Sequence, residues 1–345
     1  MVDTPGNGDG DVRDAAGQLV ELALGHLFSA ALRTAARCRI ADHLAAGPRT
    51  AEQLAARTGT DPGHLRRVLR YLATRGLFRE DGGGAFHLTP LADAIRTDVP
   101  DSLHAAVLML TDPSFVRNSA GLEETVRAAG PSFERLFGKP FFDHLAGDPE
   151  LRELFDAGMT SLSGPVDAVI AGTYPFPEKG TVVDVGGGRG GLLRAVLRGR
   201  PGLTGVLYDQ APAVSTHVLA DDDEVRGRWR AEAGDFFAAV PEGGDLYVLK
   251  QVLHDWPDEA CLRILRNCRA VMAPDARLLI VDCVLPVGNE PHVGKTLDVA
   301  MAAIVDGRER TEDEFAALLV GAGLRLTRIL PTDAFPSIVE AEAAF

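Results

Sequence analysis

The chain is poor in cysteine, in lysine and in positive charge generally, and it has no long apolar run. Each scarcity closes off a class of protein. The four cysteines, Cys38, Cys261, Cys268 and Cys283, form no Cys-x-x-Cys pair, so neither a disulfide scaffold nor a thiolate metal site is expected, and a reduced, cytoplasmic setting is. No apolar stretch approaches the ~18–20 residues that a membrane span needs. No cluster of His and carboxylate residues has metal-ligand spacing, so no metal is expected either. Lysine occurs only at 139, 179, 250 and 295, which we read as the coding bias of a GC-rich genome. Lys and Arg number 35 against 49 Asp and Glu, for a net charge of −14. Such a surface repels phosphate backbones and anionic lipid, so neither nucleic acid nor membrane is an expected partner.

What is present is a chain of 345 residues, 46% hydrophobic and 24% charged, long enough for two domains and a large core. Its texture changes along the length. Residues 1–11 are acidic and Gly-rich, lack the apolar segment of a secretory signal, and are expected to form a disordered tail. Residues 12–100 read as helices followed by a hairpin. Thr50-Ala-Glu-Gln53 has capping-box spacing and opens a helix that ends near Thr58-Gly59. After Asp61-Pro62, a second helix carries Leu65, Val68, Leu69 and Leu72 on one face and stops at Gly76. Leu77-Phe78-Arg79, the Gly82–Gly84 turn and Phe86-His87-Leu88 complete a winged-helix pattern. Residues 101–175 are helical, with Phe115, Phe133, Phe137, Phe141, Phe142, Phe155 and Met159 available as core or as the wall of a pocket for a flat ligand.

From 176 to 345 strands and helices alternate. Thr181–Val185, Leu203–Tyr208, Arg228–Ala231, Leu246–Lys250 and Leu278–Val284 read as strands, with helices at Leu192–Leu197 and Asp258–Met272. Leu324–Leu330 and Ser337–Glu340 read as a closing antiparallel hairpin. The expectation is an α/β fold with a doubly wound, mostly parallel sheet.

The first βα turn, Asp184-Val-Gly186-Gly187-Gly188-Arg189-Gly190-Gly191, satisfies Gly-x-Gly-x-x-Gly, and Asp209 ends the next strand. Glycines there admit a nucleotide-like ligand close to the backbone, and the acid can take two ribose hydroxyls. Charge separates the candidate cofactors. A dinucleotide brings a pyrophosphate, which a carboxylate at Asp184 disfavours. A cationic ligand at ~4 Å gains a few kcal/mol at an effective dielectric of ~20. That favours S-adenosylmethionine over a nicotinamide cofactor. Gly234-Asp235-Phe236-Phe237 adds a carboxylate for an adenine amino group and an aromatic face for the ring.

With Leu249-Lys250-Gln-Val-Leu253-His254-Asp255-Trp256 and Gly307-Arg-Glu309-Arg310-Thr311, the sequence resembles the S-adenosylmethionine-dependent small-molecule O-methyltransferases of the plant caffeic-acid and bacterial polyketide-tailoring type. The resemblance runs from about residue 15 to the C-terminus. It implies a C-terminal Rossmann-like catalytic domain and an N-terminal winged-helix dimerisation domain that makes a homodimer. The expected cofactor contacts are Gly186 and Gly188, with Asp184, Asp209, Gln210, Asp235, Phe236, Phe237 and Lys250. In the same resemblance His254 matches the general base, flanked by acids matching Asp282 and Glu309. The family often has Glu where this chain has Asp282, one methylene shorter.

The chemistry itself is modest. Full transfer of a proton from a phenol of pKa ~10 to a histidine of ~6.5 would cost about 5 kcal/mol, and proton removal concerted with attack lowers that demand. A carboxylate on the other imidazole nitrogen would fix the tautomer, with Asp255 a second candidate beside Asp282. Met159, Asp255, Trp256, Asp298 and Met301 are candidate substrate contacts. The expected activity is methylation of a phenolic hydroxyl on an aromatic secondary metabolite, as in antibiotic biosynthesis. Two alternatives stay open: the same cofactor used for hydroxylation or decarboxylation, and a winged-helix DNA-binding regulator built on Arg66, Arg67, Arg70 and Arg75.

Overall fold

The computed structural model describes residues 8–344, with side chains from 14 onward. The expected N-terminal tail falls partly on residues 1–7, outside that range, and the first helix begins at Gly8, inside the stretch read as unstructured. Two compact units are present, one of residues 8–116 with 150–161 and the other of 117–149 with 162–344. The stretch 101–175 contributes to both.

In the first unit the sequence signals act as read. Thr50 caps the helix Ala51–Thr58 with a full capping box, and Gly59 closes it in the left-handed region. Asp61 caps Pro62–Ala73, whose Leu65, Leu69 and Leu72 are buried. A short strand β1 (Arg49–Thr50) pairs with β3 (Ala85–Leu88), which also pairs with β2 (Phe78–Glu80). The wing therefore has three strands rather than the two expected. Two of the arginines that suggested a DNA reader, Arg66 and Arg70, are held by Glu80 at 3.3 and 3.0 Å. Among the described residues no single helix is long and apolar enough to cross a membrane; Asp14–Ala23 and His26–Arg37 meet that test only as a pair bent by 51°.

The second unit is built on a seven-stranded sheet. Its strands are β4 (Gly180–Val185), β5 (Leu203–Asp209), β6 (Trp229–Ala233), β7 (Leu246–Lys250) and β8 (Arg277–Asp282). A two-residue strand β9 (Val284–Leu285) pairs with β10 (Arg310–Thr311) outside the sheet, and β11 (Leu324–Leu330) and β12 (Ser337–Ala343) complete it. The order is β11-β12-β8-β7-β4-β5-β6, parallel throughout except for the closing pair β11 and β12. Apolar residues from the two faces of the sheet pack into separate clusters, as strands buried on both sides require. The chain runs outward from β4 to β6, then crosses back to β7 on the other side of β4. That reversal makes the carboxyl end of β4 the crevice where such sheets bind ligands.

Candidate active site

Strand β4 delivers Asp184 and then the glycine turn. Gly186, Gly188 and Gly190 all have positive φ, so the turn could not be made with ordinary side chains. A Cβ on Gly186 would press on Val252 and sit 3.5 Å from the Phe236 ring. The turn, the Phe236 face and the β7 loop thus line one cradle. Asp209 at the end of β5 accepts from the amides of Gly188 at 2.8 Å and Gln210 at 2.6 Å, which aims its carboxylate at the turn. Gly234 donates its amide to the Asp209 carbonyl at 2.9 Å, bringing Asp235 alongside, and Asp235 is itself braced by the Phe237 amide at 2.8 Å. Lys250, the last residue of β7, pairs with Asp167 at 2.5 Å.

Asp184 lies lower than the sequence suggests. It is 1% exposed, directly beneath Gly187, and among the described residues neither carboxylate oxygen has a hydrogen-bond partner. Burial raises its pKa to about 7, against the pull of the Lys250 ammonium and with the push of Asp167 and Asp209. Phe237 and Trp256, expected at cofactor and substrate, pack on each other at 4.8 Å, and Arg263 covers the Phe237 ring.

The second constellation grows from the same carboxyl end of β7, just past Lys250. Gln251, at φ 53°, turns the chain sharply out of the strand into the single turn Leu253–Asp255 that carries His254. Facing it is the loop after the helix Val293–Ile304. Gly307 in that loop touches the His254 backbone so closely that a Cβ would collide with the His254 carbonyl oxygen. This contact sets Glu309 against the imidazole: Nδ1 of His254 lies 2.9 Å from Oε1 of Glu309. Glu309 is positioned in turn by its amide, which donates to Asp298 at 2.9 Å. Asp298 is therefore engaged with the Glu309 loop, while Met301 follows one turn later on the same helix, half-buried.

Asp282, at the end of β8, is 1% exposed and neither oxygen has a hydrogen-bond partner among the described residues. It reaches His254 through its field and not by contact; the shorter side chain leaves the direct bond to Glu309. Asp255 Oδ1 stands 3.6 Å from Nε2, an ion pair beyond hydrogen-bond reach. Burial opposes charge on the imidazole, yet Asp255, the Glu309 hydrogen bond and Asp282 together lift its pKa to about 10. Asp282 is pushed up to about 7, chiefly by burial. The structure thus brings together His254, Glu309, Asp282, Asp255 and Asp298. Met159 lies in the other compact unit, half-buried on the helix Pro149–Thr173.

Two participants escaped the sequence reading. Asp167 is an isolated acid on a long helix, with nothing local to mark it. Arg310 is 1% exposed and donates to the carbonyls of Leu253 and Trp256, both at 3.0 Å, on either side of His254. Its place beside Glu309 was the available signal.

The comparisons agree with this geometry. Residues 120–325 match the O-methyltransferase domain, and 20–106 match the O-methyltransferase dimerisation domain. The chain belongs to the O-methyltransferase family. A phenazine O-methyltransferase of Lysobacter antibioticus is 39% identical over 94% of this chain and 95% of its own. CalO1, a methyltransferase in calicheamicin biosynthesis solved with S-adenosylhomocysteine, has a TM-score of 0.90 at 44% identity, covering 96% of this chain and 98% of its own. NcsB1, from neocarzinostatin biosynthesis, was solved with S-adenosylmethionine and a hydroxy-methyl naphthoic acid; it has a TM-score of 0.74 at 34% identity over 91% of this chain and 95% of its own. A relative of different named activity, the aclacinomycin 10-hydroxylase of Streptomyces purpurascens, is 34% identical over 88% of this chain and 83% of its own. The protein is an S-adenosylmethionine-dependent O-methyltransferase with the family's dimerisation domain. The cofactor fits the residues present, because Asp184 is a buried carboxylate without a partner beneath a turn that only glycine can make.

Proposed function

We propose that the methyltransferase modifies a phenolic hydroxyl of an aromatic secondary metabolite, with His254 as general base, and that it works as a homodimer through its N-terminal unit. The observation that carries this reading is the 2.9 Å bond from Nδ1 of His254 to Glu309, which leaves Nε2 as the nitrogen able to accept a proton. When bound, the cofactor supplies a methyl group on a positively charged sulfur. Gly186, Gly188, Asp209, Asp235, Phe236 and Lys250 would hold it, with Asp184 contributing negative charge from below.

His254 is well matched to its task. With its pKa lifted to about 10, its affinity for a proton approaches that of a phenol, and the cost of about 5 kcal/mol for an ordinary histidine is reduced. The same affinity keeps the resting imidazole protonated at neutral pH, so it must lose that proton before it can accept another. An aromatic acceptor is supported by the naphthoic acid bound to the relative NcsB1; in this chain Phe133, Phe137, Phe141 and His144 form an aromatic cluster with rings 4.4 to 5.3 Å apart, Phe133 and Phe141 buried within it. The helix Ser132–Phe137 bearing two of them is tied to the helix of Asp298 and Met301 through Ser132, which donates to Ala303 at 3.2 Å. For dimerisation, Leu19, Val20 and Leu22 are largely exposed on one N-terminal helix.

Transfer of a labelled methyl group to a panel of phenolic, anilinic and carboxylic aromatics tests the acceptor. Label on a phenolic oxygen supports the reading. Cofactor uptake with an oxidised or decarboxylated product and no label transfer would instead favour the chemistry named for the hydroxylase relative. Light scattering on the purified protein tests the dimer, and a monomer at micromolar concentration overturns it.

A further inference from the structure

We propose that Arg310 is a positioning residue for the base, holding the backbone turn that carries His254 while its neighbour Glu309 holds the ring. One dipeptide then sets both where the imidazole stands and which way it faces. The inference rests on the reading of His254 as the base given above.

The turn cannot hold itself. Leu253–Asp255 is a single turn, and its own bonds, from the Asp255 amide to the Val252 carbonyl and from the Trp256 amide to the Leu253 carbonyl, are long at 3.3 Å each. Arg310 supplies what is missing. Its Nη1 donates to the Leu253 carbonyl and its Nη2 to the Trp256 carbonyl, so one planar group grips the chain on both sides of His254. A guanidinium has five N–H donors, and each finds an acceptor here. Nη1 also reaches the Arg308 carbonyl at 3.3 Å, while Nε and Nη2 both meet Oδ1 of Asp258, at 3.0 and 2.7 Å. The fork is itself referenced to the sheet, because Arg310 stands in register with Val284, two residues past Asp282. Stability alone does not ask for this residue. Arg310 is 1% exposed, yet the carboxylate it pairs with, that of Asp258, is 57% exposed. A charge buried against so wet a partner stabilises no better than an apolar side chain of similar volume would. What the guanidinium alone offers is a rigid, flat set of donors, which the single ammonium of a lysine lacks. Reacting groups need supports of that kind, since their own positions must be held to a fraction of an ångström.

NMR on the whole protein, isotope-labelled in its histidine ring nitrogens, tests this, with calorimetry of S-adenosylhomocysteine binding beside it. In the wild type the Nδ1 proton of His254, identified by its disappearance in His254→Ala, should give the downfield signal of an N–H bonded to a carboxylate. Arg310→Lys keeps the charge and can still pair with Asp258, but it loses the fork. It should move that signal to the place of an unbonded imidazole, while S-adenosylhomocysteine affinity stays within about twofold, the margin for sites without shared partners. Asp258→Ala leaves the bonds to the Leu253, Trp256 and Arg308 carbonyls, so the signal should stay in place. That second variant decides the matter even where Arg310→Lys fails to fold. An unmoved signal in Arg310→Lys would make Arg310 a source of stability alone. Loss of the signal together with S-adenosylhomocysteine affinity would make it a general support of the unit. Loss of the signal in Asp258→Ala would assign the turn to the ion pair. Each of these results overturns the proposal and leaves the base reading standing. A wild type without the downfield signal would overturn the Glu309-bound base itself, and this inference with it.

Discussion

Asp184 and Asp282 are the same residue in nearly the same setting. Each lies at the carboxyl end of a parallel strand of one sheet, each is 1% exposed, and neither has a side-chain hydrogen-bond partner among the described residues. Burial lifts both to about 7. They differ in the cation beside them. Near Asp184 it is Lys250, already paired with Asp167. Near Asp282 it is chiefly the imidazole of His254, whose charge the surrounding acids themselves stabilise, with the Arg310 guanidinium a lesser neighbour. A buried carboxylate thus has no fixed meaning. With its neighbouring cation already engaged, it suits a charge brought from outside; beside a titratable ring, it sets how tightly that ring holds a proton.

The sharpest way to break this comparison is to remove the ring. His254→Ala should lower kcat by about a thousandfold, within the range general-base catalysis supplies, while cofactor affinity by calorimetry stays within about twofold. Comparable losses in both would show that the two clusters act as one. Next in size is Gly307→Ala, whose methyl would force the Glu309 loop off His254; kcat should fall by about a hundredfold, as a displacement of that order does, with cofactor binding unchanged.

Asp184→Asn should act on the other side, weakening the cofactor by about tenfold through loss of one close charge and sparing the pH profile of turnover. It should also change stability. The folded pKa of Asp184 is raised from 3.8 to about 7, so its favourable contribution is complete below the lower value and lost as pH rises through the upper one. Thermal unfolding without cofactor should therefore find the variant more stable than the wild type at pH 8, and a lower melting temperature would contradict the buried, unpaired state. The smallest effect concerns Asp282→Asn. kcat/KM of the wild type should climb with pH toward about 10, where His254 loses its proton. With one surrounding anion gone, that plateau should begin about one pH unit lower, as an altered neighbouring charge allows. An unmoved profile would separate Asp282 from the base.

Much of this was legible along the chain. The strands β4, β5 and β7, the capped helices and the closing hairpin follow from local signals, because apolar periodicity and caps act within a few residues. The glycine turn and its acids were legible for the same reason: positive φ and a strand-end carboxylate are written in one short stretch. The three-stranded wing was missed because β1 is only two residues long and pairs across the sequence with β3. The partner of His254 was not legible from chemistry alone. Asp282 and Asp255 were the candidates the residues offered; Glu309 by itself reads as a solvated loop residue, and only the resemblance, which matched Asp282 too, promoted it. The choice fell to a backbone contact at Gly307 that no spacing rule contains.

The sequence by itself determined the kind of fold, the cofactor turn and the stretch that carries His254, the proposed base, since each depends on residues close together in the chain. Tertiary structure alone decided which acid holds the imidazole, how deep Asp184 lies, and that Asp167 meets Lys250 from a distant helix. Those are matters of burial and of ångström-scale approach between remote segments. Electrostatic energy depends steeply on both, and neither exists until the chain has packed.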